Sequence, residues 1–222
     1  TCAAAGIIVG VLTQTGLGQK FAMIIFSYSQ GNLLIALIFT ALVAVVLGMG
    51  MPTTAAYAIG ASVLAPALVK DFQVAPIAAH LFIFYFACLS ALTPPVALAS
   101  FAAAAIANAK PWDVGWESMR FAIAGFIIPF MFIYGPAMVL APPATGFDIF
   151  MTVVTGLLGT LCLASAVQGW LLSKMNNVMR IVMLIGALAL IKPGWVTDLV
   201  GLGIFLAIAG FQWISLGKTR TA

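Results

Sequence analysis

The chain has 222 residues, of which 64% are hydrophobic and 6% charged, and its mean hydropathy is +1.20. A soluble domain carries about 25% charged residues, so a water-exposed globular surface is excluded and the chain reads as an integral membrane protein embedded in a lipid bilayer. The net charge of +4 is scattered along the sequence, whereas a nucleic-acid footprint needs a clustered basic face.

The apolar runs are long and continuous, not the ten-residue alternation of barrel strands; the expected fold class is an all-α polytopic membrane protein. Residues 1–15 read as the end of one span. They open "TCAAAGIIVGVL", without the basic leader or cleavage site of a signal peptide, as expected for a piece of a longer membrane protein. "TGLGQK" follows, then a short interfacial stretch at 21–29. Residues 32–47 run apolar into "GMGMPTT", and 55–69 run out of it to "KDFQ". Residues 77–92 reach a second break, "TPP" at 93–95, and 96–107 continue to "NAKPWD". Residues 118–140 are expected to form a full-length span closed by "APPATG", followed by segments at 148–172, 178–191 and 196–216.

Crossing the hydrocarbon core takes about 20 helical residues. The four pieces at 32–47, 55–69, 77–92 and 96–107 are shorter, and they come as two pairs interrupted by Gly, Pro and Thr. Backbone released from helical hydrogen bonds cannot face lipid; it persists at membrane depth only when buried in protein or lining a watery cavity. Such interrupted segments are the sequence mark of a secondary transporter's binding site.

Charge orients the pieces. If 32–69 is a re-entrant hairpin and 77–107 one broken, crossing helix, then Lys110, Arg120, Lys174, Arg180, Lys218 and Arg220 share one side. Lys20, Lys70 and Lys192 share the other with Asp71, Asp148 and Asp198. Six basic residues against three place the first side, and the C terminus, in the cytoplasm. Trp112, Trp116 and Trp170 then lie at the cytoplasmic interface, and Trp195 with Tyr134 near the outer one.

The apolar runs hold no carboxylate, and their one candidate proton carrier is His80, in "PIAAHLFIFYFA". It reads first as an interfacial histidine bonded to a neighbouring helix. Cys2, Cys88 and Cys162 lie in separate stretches without CxxC spacing, as small packing residues do. Neither HExxH nor GxSxG occurs, and catalysis is not expected. What the breaks offer is oxygen. Thr53, Thr54, Ser90 and Thr93 carry hydroxyls, and unwound backbone at Gly48, Gly50 and Leu92 to Val96 exposes carbonyls, which suit hard cations. The helix N-terminus after Pro52 points its positive dipole end at an anion.

At these breaks the sequence resembles a known family. "LGMGMPTTAAYAIGASVLAPALV", "AAHLFIFYFACLSALTPPVALASFAAAAIA" and "WESMRFAIAGFIIPFMFIYGPAMVL" look like the large membrane subunit of TRAP (tripartite ATP-independent periplasmic) transporters, nearest to the fused four-plus-twelve-helix subunit of the TAXI subgroup. The likeness covers about residues 1–141. It implies an elevator fold of two inverted repeats in a bacterial inner membrane, of which this chain is like the second. Its parts would be the end of a scaffold helix and a connector (1–30), a re-entrant hairpin (31–70), a broken helix (76–109), a transmembrane helix (117–141) and an additional C-terminal transmembrane region (147–222).

The resemblance also implies import of small organic anions, commonly carboxylates, driven by an ion gradient and delivered by a periplasmic substrate-binding protein. The N-terminal half and small-subunit-like helices of the same transporter would be further partners, with no cofactor beyond the coupling ion. Carried over motif by motif, it nominates for a cation Gly48 or Gly50 at the tip, with Ser90, standing where a small Gly is usual, Thr93, and the Val96 backbone carbonyl at the break. For substrate, the helix start and the hydroxyls at the two breaks themselves offer Pro52, Thr53, Thr54, Thr93, Pro94 and Pro95. Dicarboxylate-type relatives carry an acid in the tip motif where this chain has Pro52, and TAXI members can couple to protons, so sodium and proton both stand as coupling ions. A non-transporting helical scaffold or assembly subunit is the alternative.

Overall fold

A computed structural model describes residues 6–8, 10–11, 14–140, 144–191 and 194–220; Cys2 and Lys192 fall outside these. Among the described residues every regular element is helical, apart from an isolated bridge between Trp170 and Lys174. The chain is an all-α polytopic membrane protein. It divides into two compact units, Thr1–Ile133 and Tyr134–Ala222.

The first unit is built on a helical hairpin. Helix α1 (Leu17–Ser29) ends at Gln30 and Gly31, both in the left-handed region (φ 50° and 76°), and the chain reverses. The Asn32 side chain then accepts from the amides of Leu34 (3.0 Å) and Ile35 (3.3 Å), capping the start of α2 (Leu33–Gly48). Four residues turn the chain into α3 (Thr53–Pro66), which a π turn extends through Ala67–Asp71. With 16 residues, α2 is about 24 Å long, shorter than the hydrocarbon core. The second arm, Thr53–Asp71, is long and apolar enough to cross.

Helix α4 (Pro76–Leu89) packs against both arms. Leu37, Leu64, Leu68, Phe82 and Ile83 are fully buried there. Small buried residues, among them Ala36, Ala44, Ala56 and Ala79, bring the backbones close. That is the usual basis of helix association in lipid, where apolar burial alone favours no partner. A broken stretch leads to α5 (Leu98–Ala107), then to α6 (Pro111–Phe121) and α7 (Ile123–Tyr134).

The stretch expected as one span over 118–140 falls in two helices, which taken together are long and apolar enough to cross. The first begins at Pro111, the pair bends by 40° at Ala122, and a 3-10 turn, Pro136–Val139, follows. Pro129 can give no amide hydrogen to the Gly125 carbonyl, and at the bend the Gly125 amide bonds Ala122, three residues back, at 2.8 Å.

The second unit packs α8 (Gly146–Gln168), α9 (Asn177–Ile191) and α10 (Trp195–Arg220). Thr145 and Asp148 form a reciprocal capping box at the start of α8. At its end Arg180 donates to the carbonyls of Ala166 (2.9 Å) and Val167 (2.8 Å), a cation on the negative end of a helix. Glycine sets the helix spacing. A Cβ at Gly159 would stand 3.1 Å from Ile191, and one at Gly201 would stand 2.8 Å from the Gly186 carbonyl. Gln212, 2% exposed, accepts from the amides of Leu172 (3.0 Å) and Ser173 (3.2 Å) and so pins the turn after α8. Gly146–Gln168 and Trp195–Ile214 are both long and apolar enough to cross a bilayer.

Candidate functional site

The hairpin tip, Met49–Pro52, leaves the backbone under-bonded. Gly50 takes φ 75°, a conformation glycine adopts at little cost. The carbonyls of Leu47, Met49 and Gly50 accept no hydrogen bond among the described residues, while that of Gly48 takes the Met51 amide at 3.3 Å. The amides of Thr53, Thr54 and Ala55, at the start of α3, have no acceptor among the described residues, as a helix N-terminus dictates. The Thr53 and Thr54 hydroxyls have no hydrogen-bond partner among the described residues either; Thr53 is half-buried and Thr54 exposed.

The second break runs from Ser90 to Ala97 and holds itself together by side-chain oxygens. Ser90 Oγ donates to the Ala87 carbonyl at 2.7 Å, and Thr93 Oγ1 to that of Leu89 at 2.8 Å. Ser100 Oγ reaches back from α5 to the Leu92 carbonyl at 3.3 Å, and the Ala99 amide bonds Ala91 at 3.0 Å. The carbonyls of Pro94, Pro95 and Val96 accept no hydrogen bond among the described residues. Ala97, fully buried, sits in the left-handed region (φ 31°). An alanine is held there only when its surroundings over-determine it, a form of strain that gathers at functional sites.

Tip and break touch. Gly48 is buried directly against Ser90, where a Cβ on Gly48 would stand 2.8 Å from Ser90 Cβ and collide with the hydroxyl. A Cβ on Gly50 would stand 3.7 Å from Val96 Cγ1. Residues some 40 positions apart in sequence thus form one cluster. It contains two stretches of unpaired carbonyls, the Ser90 and Thr93 hydroxyls (2% and 9% exposed), and the N-termini of α3 and α5. Each hydroxyl donates its proton inward and keeps oxygen lone pairs for a cation. On the outward side Pro52, Thr54, Gly50 and Pro95 are exposed, with Pro94 and Val96 half-buried. Of the residues nominated from sequence, Gly48, Gly50, Ser90 and Val96 meet directly. Thr93 is tied to them through Leu89, and Pro52, Thr53 and Thr54 line the tip beside them.

His80 lies elsewhere, 10 positions before Ser90 on α4. Its Nδ1 and the Tyr57 hydroxyl are hydrogen-bonded at 2.9 Å, joining α3 to α4. Cys88 and Cys162 are free thiols. Ser100, which closes the break from α5, escaped the motif reading; its only signal is one hydroxyl among the alanines of "ALASFAAAA".

The second unit has a cavity of its own of about 720 Å³, walled by apolar side chains such as Phe147, Met151, Leu158 and Trp195, with Asp148 and Asp198 beside them. None of the tip or break residues lines it.

Comparison with known proteins bears on the first unit. No curated protein and no solved structure matches the chain. The family model described as Tripartite ATP-independent periplasmic transporter, DctM component, matches residues 1–141. That match covers more than half of the chain and takes in both breaks, and the protein belongs to the family of the DctM component of tripartite ATP-independent periplasmic transporters.

Proposed function

We propose that this chain is part of the TAXI-type permease of a bacterial inner membrane, importing small organic anions, chiefly carboxylates, with a co-transported cation. It would work as the second of two inverted repeats moving in an elevator mechanism. Its partners would be a periplasmic substrate-binding protein and the N-terminal half and small-subunit-like helices of the same transporter. The observation that carries this reading is the contact of tip and break, Gly48 on Ser90 and Gly50 beside Val96.

Unpaired carbonyls and two hydroxyls are hard oxygen donors, the ligand type sodium takes from discontinuous helices. Proton relays at membrane depth run through Asp, Glu or His; the broken segments hold no carboxylate, and their one histidine, His80, lies 10 positions from Ser90 and is bonded to Tyr57. Sodium is therefore the favoured coupling ion at this cluster. The anion would meet the free amides at the start of α3 and the Thr53 and Thr54 hydroxyls, with Pro52, Pro94 and Pro95 shaping the pocket. Thr93, nominated for substrate as well, gives its proton to the Leu89 carbonyl and would act on the anion only through the cation. A helix N-terminus contributes about 0.3–1 kcal/mol toward an anion when exposed and up to about 2 when partly buried. No Lys or Arg lies in the broken segments to add to that. The resulting affinity is modest, which suits a carrier that must release its cargo and receives it from a selective binding protein.

The test is uptake by the full transporter with its binding protein, offered labelled carboxylates, amino acids and neutral sugars in sodium or choline buffer. Sodium-dependent uptake of a carboxylate supports the reading. Preference for a neutral sugar, or uptake unchanged in both Thr53→Ala and Thr93→Ala, contradicts it and favours a scaffold role for these segments.

A further inference from the structure

The break has a counterpart on the helices that pack against it. Helices α4 and α5 meet at the break, and α6 and α7 meet at the 40° bend at Ala122. The α7 side holds α4 through ring contacts: Phe86–Phe126 (6.2 Å between centroids), Phe82–Phe130 (5.3 Å) and Tyr85–Phe132 (5.3 Å). The α6 side holds α5 through Phe101–Trp112 (6.3 Å). Between these contacts, one glycine presses on the middle of the break and another on the residue just before it. A Cβ on Gly115 would stand 3.1 Å from Pro94 Cγ and 3.5 Å from Phe101 Cε1. A Cβ on Gly125 would stand 3.2 Å from Leu89 Cδ2. Leu89 is the residue whose carbonyl takes both the Thr93 amide (3.1 Å) and its hydroxyl.

We propose that the bent pair α6–α7 sets the geometry of the break, and that Gly115 is a positioning residue for the cation held there. This rests on the reading of tip and break as a cation site. The two glycines differ in what they touch. Leu89 Cδ2 is the far end of a flexible side chain and can move by a few tenths of an ångström without moving backbone. Pro94 Cγ belongs to a closed ring fused to its own backbone; it can yield only by a change of ring pucker, and any further displacement shifts the Pro94 backbone and with it the carbonyls of the break. Gly115 is buried, while Trp112 and Trp116 on the same helix are exposed. Glycine is the poorest helix former after proline, and close approach to the break accounts for its place in α6.

The experiment measures the sodium concentration giving half-maximal uptake in the full transporter with its binding protein, reconstituted in proteoliposomes. Gly115→Ala is expected to raise it about 5-fold or more, the low end of what overpacking a rigid neighbour produces. Half-saturation for substrate at saturating sodium should move less, and Gly125→Ala should stay within about 2-fold of the unaltered protein. An unchanged sodium value in Gly115→Ala, or equal shifts in the two glycine variants, overturns the proposal. Should Gly115→Ala not reach the membrane, Trp112→Leu loosens α6 from Phe101 without adding volume and must raise the sodium value; no change there also overturns it. Thr93→Ala separates the layers: if it shifts the sodium value and Gly115→Ala does not, the positioning role fails and the cation site stands. If Thr93→Ala shifts nothing, the cation site itself fails.

Discussion

Gly48→Ala tests the contact on which the site depends. The added methyl would stand 2.8 Å from Ser90 Cβ and overlap its hydroxyl, closer than real side chains approach. Ser90 cannot swing aside freely, because it is 2% exposed and its hydroxyl is held by the Ala87 carbonyl at 2.7 Å. Overpacking of this kind costs about 1–3 kcal/mol. If the strain is relieved by parting tip from break, cation affinity falls by the corresponding 5- to 150-fold, roughly. The assay is sodium-dependent uptake by the full transporter, with membrane abundance measured alongside. A second substitution gives the argument its control. Ser90→Gly removes the colliding Cβ but also one proposed hydroxyl ligand, so Gly48→Ala/Ser90→Gly is read against Ser90→Gly alone and should bind sodium no more weakly than it. Gly50→Ala behaves differently. Its Cβ meets only an ordinary contact at 3.7 Å, so the cost is that of a left-handed backbone, about 1–2 kcal/mol, and Ser90→Gly should not relieve it. Normal sodium dependence in Gly48→Ala, or a double variant weaker for sodium than Ser90→Gly alone, refutes the packing argument.

Two further outcomes are expected. Gln212→Leu leaves the Leu172 and Ser173 amides without their acceptor, and thermal unfolding of the second unit should show a loss of about 1–3 kcal/mol; an unchanged melting profile contradicts the role given to Gln212. In an otherwise cysteine-free transporter, Gln73→Cys, in the exposed loop after Lys70 and Asp71, should react with a membrane-impermeant thiol reagent added outside cells, and a cysteine at the C terminus only after the cells are opened. The reverse pattern overturns the hairpin orientation.

The fold class was legible because apolar runs of membrane length have no other use, and the ends of α2, α3, α4 and α5 were marked by Asn32, Gly48, Pro52, Pro76 and the TPP motif. The positions of the two breaks were legible for the same reason: glycine and proline weaken helices wherever they stand. Their partnership was not. That Gly48 lies on Ser90, or that Tyr57 bonds His80 from 23 positions away, depends on packing across helices and leaves no periodic trace. Helix α6 was hidden by its own polarity: with Asp113 among them, residues 111–116 fall in no expected element, and the expected span begins only at 117–118. The structure instead places Glu117 and Arg120 in an exposed ion pair at 2.9 Å on one face of a helix whose buried Gly115 meets Pro94. The bend at Ala122 carries no glycine or proline of its own, so the apolar run through it looked continuous.

The most direct measurement of the central claim is accumulation of a labelled carboxylate by proteoliposomes holding the full transporter and its binding protein, under imposed gradients. An inward sodium gradient should drive accumulation above equilibrium, an inward proton gradient without sodium should not, and Thr93→Ala should abolish the sodium-driven part while inserting normally. Accumulation driven by protons alone, or a sodium response in Thr93→Ala equal to that of the unaltered protein, would contradict the assignment of tip and break as the site that couples cation to anion.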